Sequence, residues 1–288
     1  MKDLLRRIWL RKSAAIGLVG VLVVTVVAVF APLIVPQDPN RQDLFARLQP
    51  PNAEHLLGTD NFGRDQLSRL IYGARISLTV GVVAVLIAAA LGSLLGLVAG
   101  YFGGLVDNLL MRLIDVLMAF PTLLLAIVFL AMLGERVGGL LNIMIAVGIA
   151  STPHFARLVR GQVLSIKQLD YVEAARALGG SAGRLMTRHI LVNSLSPIII
   201  YATLRIATVI LTEASLSFLG LGVPPPTPTW GGMVAEGTKL LQRAPWLSLI
   251  PGVAIMMTVL AFNLFGDGLR DALDPRLRGI GDVAAQKS

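Results

Sequence analysis

Ile76-Ser-Leu-Thr-Val-Gly-Val-Val-Ala-Val-Leu-Ile-Ala-Ala-Ala-Leu-Gly-Ser-Leu-Leu-Gly-Leu-Val-Ala-Gly100 runs for 25 residues without a charged side chain. As a helix rising about 1.5 Å per residue, such a run crosses about 30 Å of bilayer hydrocarbon. Within it Ala84, Ala88, Gly92, Gly96 and Gly100 recur at every fourth position, and Gly104 continues the series. One ridge of the helix is therefore almost bare of side chains, so a second backbone can approach closely. Gly92, Gly96 and Gly100 are the residues expected at that helix contact. A static packing face is a simpler reading of the ridge than a sliding seal.

Outward from this span, comparable apolar runs lie at about 14–35, 113–133, 138–159, 193–220 and 247–266. Six crossings return both termini to one side. Of the 288 residues, 55% are hydrophobic and 15% charged, with a mean hydropathy of +0.74, which excludes a soluble single domain. The net charge of +8 is not a nucleic-acid signal once its placement is read. Lys2, Arg6, Arg7, Arg11 and Lys12 precede the first run; Arg157, Arg160, Lys167, Arg176, Arg184 and Arg188 surround the 160–190 loop; Arg270, Arg276 and Arg278 follow the last run. That distribution places these segments, and both termini, in the cytoplasm. The first run is longer than a signal-peptide core and is closed by no small-x-small cleavage site, so it reads as a retained helix. The chain has no cysteine, hence no disulfide or thiolate chemistry.

The 36–75 segment then lies outside, although it carries Arg41, Arg47, Arg64, Arg69 and Arg75. Asp38, Asp43, Glu54, Asp60 and Asp65 balance those five, but the topology rule counts cations rather than net charge. Pro36, Pro39, Pro50 and Pro51 break any long helix there, and an amphipathic stretch ends near Arg75. Trp230 and Trp246 suit the outer membrane interface and Trp9 the inner one.

Asp170-Tyr-Val-Glu-Ala-Ala-Arg-Ala-Leu-Gly179 stands in the basic cytoplasmic loop. Asp170 followed by Glu173 reads as a capping box, and Gly179 as the left-handed residue that ends a helix. The short helix expected from about Tyr171 to Leu178 puts Tyr171, Ala174, Ala175 and Leu178 on one narrow apolar face. An element this short needs a partner to be stable.

Glu173, Ala174, Ala175 and Gly179 match in spacing the Glu-Ala-Ala, three residues, Gly pattern of the ABC transporter permease coupling loop, which the segment resembles. Further on, Leu191 fits the pattern while His189 and Val192 replace its Ile and Pro. Nearly the whole chain is similar to the second permease subunit of the bacterial dipeptide, oligopeptide and nickel transporter family. The segments that carry the resemblance are His55-Leu-Leu-Gly-Thr-Asp60 with Gly63-Arg-Asp65, Arg69-Leu-Ile-Tyr-Gly-Ala-Arg-Ile-Ser77, Gly100-Tyr-Phe-Gly-Gly104, Glu213-Ala-Ser-Leu-Ser-Phe-Leu-Gly-Leu-Gly222, Pro225-Pro-Thr-Pro-Thr-Trp-Gly231 and Leu260-Ala-Phe-Asn-Leu-Phe-Gly-Asp-Gly-Leu-Arg-Asp-Ala-Leu-Asp-Pro275.

The resemblance implies an all-α integral membrane protein with the type I ABC importer permease fold in the bacterial cytoplasmic membrane. Residues 1–75 form a cytoplasmic start, first helix and outer loop; 76–278 form a core of five helices; 279–288 form a tail. It further implies a heterodimer with a homologous permease, an extracytoplasmic substrate-binding protein, and two ATPase subunits that hold ATP and Mg. Tyr171, Glu173, Ala174, Ala175, Leu178 and Gly179 would meet the ATPase. This chain has no Gly-x-x-x-x-Gly-Lys-Ser/Thr loop, so hydrolysis belongs to another subunit, and it is expected to bind no cofactor. Selection among dipeptides, longer peptides, glutathione, nickel chelates and opine-like solutes begins at the binding protein, a separate chain.

On the fifth span Tyr201, Arg205, Thr208 and Thr212 share a helical stripe and are the candidates for lining the pathway. Tying this helix to neighbours is an equally open role for Arg205, and structure is the favoured role for Glu213, about 12 Å further along the axis. Arg112 is placed to pair with Asp115, three residues on, beside Asp107. His55, His154 and His189 have no metal-ligand spacing, and no Gly-x-Ser-x-Gly elbow is present, so no catalytic or metal residue is assigned. A six-helix secondary carrier or channel working without ATPases is the alternative, but the internal repeat it calls for is absent.

Overall fold

The computed structural model describes Trp9 and residues 11–134 and 138–273. The basic residues Lys2, Arg6, Arg7, Arg276 and Arg278 and the 279–288 tail lie outside the described residues. Proline and aspartate punctuate the helices. α1 (Lys12–Ile34) stops where Val35, extended at φ −64° and ψ 128°, precedes Pro36. The following loop is tied by Asp43, which accepts from Phe45 N at 3.0 Å, and by a bridge between Thr59 and Asp65. Asp65 then caps α2 (Gln66–Phe102), accepting from the Ser68 amide at 2.8 Å and its hydroxyl at 2.7 Å. The stretch expected to stop near Arg75 instead continues into the span. No proline interrupts residues 66–102, which make one helix of 37 residues.

The expected third span is broken. α3 (Gly104–Met118) and α4 (Thr122–Leu133) meet at 100°. Pro121 lacks an N–H and its ring excludes the carbonyl four residues back, so a straight helix cannot pass through it. α4 alone has 12 residues, about 18 Å, too short to cross. α5 (Gly139–Ile166), α6 (Asp170–Ala177), α7 (Ala182–Phe218), α8 (Trp230–Thr238) and α9 (Trp246–Leu273) complete the chain. α7 starts ahead of the span expected from residue 193, through a π-helical stretch at Leu185–Leu191. Five helices are thus long and apolar enough to cross, with the α3–α4 pair as a sixth if it counts as one.

Arg11, just before α1, pairs with Asp271 near the end of α9, so the two described chain ends share one end of the bundle. At that same end Lys167 Nζ donates to Gly100 O at 2.8 Å, which places the α5 C-terminus beside the α2 C-terminus. At the opposite end Gln66 Nε2 donates to Leu247 O at 3.2 Å, joining the starts of α2 and α9.

α2 and α5 form the centre of the molecule. A Cβ at Gly92 would lie 2.4 Å from Phe155 Cβ, at Gly96 2.4 Å from Ala156 O, and at Gly100 2.7 Å from Val163 Cβ. Without side chains at these three positions the backbones approach and dispersion contacts accumulate, the main source of helix adhesion in lipid. Gly104 does not share this contact, since nothing lies within 4 Å of its Cβ position. Leu97, beside the ridge, is buried too, whereas Leu94 is 59% exposed.

Trp230 departs from its expected place at the membrane interface. It is 3% exposed, with Nε1 donating to Leu70 O at 3.0 Å and its ring against Gly73. A buried indole is stable there because its one donor is satisfied.

Candidate coupling site and translocation surface

α6 carries the residues expected at the coupling site, and its two ends are built differently. At the start, Leu169 is the extended cap residue and Asp170 already lies in the helix, with no side-chain cap bond. The expected Asp170–Glu173 capping box is therefore not formed. The chain enters the helix one residue earlier than the box requires, leaving both carboxylates in the first turn, where the helix dipole favours them. At the other end Gly179 has φ +84°, its amide donates to Arg176 O and that of Gly180 to Ala175 O, each at 3.0 Å. These two bonds make a complete Schellman motif, which needs the left-handed residue at Gly179.

Val172 is fully buried and Ala175 half-buried against the core that includes Leu185 and Ile190. Tyr171, Ala174 and Leu178 are exposed, Leu178 to 89%, as is Glu173. Ala175 thus turns inward from the face expected for it, because at about 100° per residue it falls between Tyr171 and Val172. The Tyr171 hydroxyl accepts from Asn193 Nδ2 at 3.0 Å, which fastens α6 to α7.

Along α7, Tyr201 packs edge-on to Phe155 with ring centroids 5.0 Å apart, and the Arg205 guanidinium stands 5.9 Å over the Tyr201 ring. Thr208 Oγ1 donates to Arg205 O and Thr212 Oγ1 to Thr208 O, both at 2.9 Å, so these hydroxyls spend their protons on the helix. A cavity of about 740 Å³ opens between α5, α7 and α9, lined by Gln162, Asn193, Ser196, Pro197, Tyr201 and Arg270 among others. Tyr201 belongs to both the cavity wall and the Arg205 contact. Glu213, by contrast, is fully buried and accepts from Ser217 Oγ at 2.8 Å and Ser77 Oγ at 3.3 Å, joining α7 to α2.

The intrahelical pair expected between Arg112 and Asp115 is replaced by pairs across helices. Arg160 meets Asp107 through two nitrogens at 2.9 and 2.6 Å, and Arg157 meets Asp115, bracing α3 to α5. Long-range pairing wins because α5 presents both arginines to the α3 face. Sequence reading also missed a charge cluster at the end of the bundle opposite Arg11 and Asp271. Asp60 meets Arg64 at 2.5 Å and Arg69 at 3.5 Å, and Glu236 meets the same two at 3.0 and 3.8 Å. The four-residue step from Asp60 to Arg64 was the local signal; Glu236 carried none. Among the described residues no group of three His, Cys, Asp or Glu is arranged to hold a metal ion.

The binding-protein-dependent transport system inner membrane component family matches residues 92–279, and the N-terminal TM domain of oligopeptide transport permease C matches residues 1–51. The chain belongs to the binding-protein-dependent permease family. It is 47% identical over 270 residues to the dipeptide transport system permease protein DppC of Alkalihalophilus pseudofirmus, covering 93% of this chain and 88% of that one. It is 49% identical over 275 residues to the glutathione transport system permease protein GsiD of Escherichia coli, covering 95% and 90%. A solved amino acid ABC transporter, crystallised with histidines, shares the fold at a TM-score of 0.53 and 18% identity, over 69% of this chain and 91% of that one. This permease is therefore the transmembrane subunit of an ABC importer, a multi-pass membrane protein working with other components of its transport system. A carrier acting without ATPases is not favoured.

Proposed function

We propose that this permease forms half of a heterodimeric pore in the bacterial cytoplasmic membrane and imports di- or oligopeptides or related small solutes. Its six crossings, counting α3–α4 as one, leave both termini in the cytoplasm. Two ATPase subunits dock at α6, and a binding protein delivers substrate at the opposite end. The peptide class rests on relatives named for dipeptide and glutathione transport.

The observation that carries the reading is α6, a helix of eight residues with a buried inner side, an exposed side at Tyr171, Ala174 and Leu178, and a bond from the Tyr171 hydroxyl to Asn193 of α7. A force applied to the exposed side reaches α7 through the Tyr171–Asn193 bond and the packing of Val172 against Leu185 and Ile190. Nothing lies within 4 Å of a Cβ at Gly179, so a side chain there disturbs only the left-handed turn, at about 1–2 kcal/mol. The double variant Glu173→Lys, Gly179→Asp is expected to insert normally, lose transport by about tenfold or more, and lose substrate-stimulated ATP hydrolysis. Wild-type transport by a properly inserted double variant rules the coupling role out.

A further inference from the structure

Arg205 lies near the middle of α7 and His154 near the middle of α5, the depth at which an unpaired charge is most costly in a bilayer. Among the described residues no Asp or Glu pairs with Arg205. The Arg205 Nε and the His154 Nδ1 are both buried and both without a hydrogen-bond partner. The carboxylate nearest in sequence on α7, Glu213, is fully buried and engaged by Ser77 and Ser217. The Thr208 and Thr212 hydroxyls donate to their own helix, which leaves their oxygens as acceptors, useless to a guanidinium's counter-ion. The surroundings thus offer Arg205 an aromatic face and no negative charge.

An arginine held this way presents a rigid fork of donors suited to a carboxylate. Its position points to the source. Tyr201, which the guanidinium covers at 5.9 Å, also lines the cavity of about 740 Å³ between α5, α7 and α9. Arg205 therefore stands one aromatic ring beyond the inner wall of a cavity large enough for a small solute. We propose that Arg205, seated on Tyr201, is a carboxylate station in the translocation pathway that takes the carboxylate of the moving solute as a transient counter-ion. This deepens the pathway reading of the Tyr201–Thr212 stripe and rests on it. A station of this kind speeds a peptide with a free C-terminal carboxylate through the membrane interior, where that charge is otherwise unpaired.

The chain lacks cysteine, so Thr208→Cys gives it a single thiol one turn from Arg205. It is assembled with its partner subunits, the partners made cysteine-free, in lipid nanodiscs. The thiol is treated with an anionic sulfonate-bearing and a cationic trimethylammonium-bearing methanethiosulfonate reagent. Relative to each reagent's rate with a free thiol in solution, the anionic reagent is expected to react about tenfold faster than the cationic one, from the attraction of the neighbouring guanidinium in a partly shielded site. Arg205→Gln should abolish that preference and Arg205→Lys should keep it. Alanyl-alanine should slow the reaction, and its C-terminal amide should not. Reaction with no charge preference, or no protection by either peptide, leaves Thr208 in a water-filled pathway but overturns the carboxylate station; a partner subunit's own carboxylate neutralising Arg205 would give that result. No reaction with either reagent overturns the pathway reading itself, and the station with it.

Discussion

At the end of the bundle opposite Arg11 and Asp271, the outer end on the proposed topology, Arg64 and Arg69, each 3% exposed, are met by Asp60 and Glu236 of the same chain; midway along α7, Arg205 is met by no carboxylate among the described residues. The same contrast separates the two short helices near the ends. α8 buries Trp230 and Met233 and is wedged against α7, a Cβ at Gly231 falling 2.4 Å from Ala214 Cα. α6 buries Val172 and leaves Tyr171 and Leu178 bare. At the outer end each buried guanidinium has carboxylates of its own chain to balance its charge, although Arg69 Nε and Trp246 Nε1 are left without a hydrogen-bond partner. On the proposed function the middle of α7 and the α6 end are half-structures, whose unpartnered or exposed groups are completed by another component. Buried ion pairs are costly to assemble and costlier to break, so a closed network acts as a fixed frame. An isolated cation over an aromatic ring is free to exchange partners.

Breaking the outer frame should give the largest effect. Asp60 is 4% exposed, and Asp60→Ala leaves two buried guanidinium groups short of a counter-ion. The expected loss is about 3–5 kcal/mol, read as a lowered thermal midpoint and reduced yield in mild detergent. A loss under about 0.5 kcal/mol, the size of an ordinary surface change, would make the outer end no more self-sufficient than the centre. Next in size is Gly96→Leu, whose Cβ is directed at Ala156 O and the Arg160 amide. Overpacking of the α2–α5 contact should cost about 1–3 kcal/mol or more, against a small change for the exposed Leu94→Ala. Equal assembly yields for the two would remove the close approach as the basis of the core.

The long helices were legible because a run of some twenty mostly apolar residues has one stable use, and the glycine ridge was legible because its four-residue period is local. The bend at Pro121 was written in the sequence but masked: hydropathy runs through Leu117, Met118, Ala119 and Phe120 into α4 without a dip, and hydropathy is blind to backbone geometry. The α6 cap failed for a related reason. Asp170 and Glu173 have the right spacing for a box, but which residue becomes the cap is set by the backbone, and Leu169 holds the extended conformation. Gly179 was readable since only its own backbone is involved. Pairs such as Asp107 with Arg160, or Arg64 with Glu236, join segments 53 and 172 residues apart, and no local spacing encodes them. Arg205 stands out in the sequence by the cost of its charge alone, which needs no contact to be noticed.

The smallest effect on the chain itself should come from Leu178, and it tests the contrast most finely. The side chain is 89% exposed, one residue before the left-handed turn, and the fold gains almost nothing from it. Leu178→Ser should change the stability of the isolated permease by less than about 0.5 kcal/mol. Val172, six residues earlier on the opposite side, is fully buried, and Val172→Ser should destabilise the permease alone by about 1–3 kcal/mol through lost apolar burial and a stranded hydroxyl. In the assembled importer the order reverses for the ATPase contact. Burying a leucine in a partner's groove contributes about 1.5–3 kcal/mol, so Leu178→Ser should weaken ATPase capture by about tenfold or more at unchanged permease stability. The measurement is ATPase retained on immobilised permease, set beside the thermal midpoint of the permease alone. Full ATPase retention by Leu178→Ser would mean that the bare side of α6 faces solvent in the working importer, and the half-structure at this end would have to be completed elsewhere.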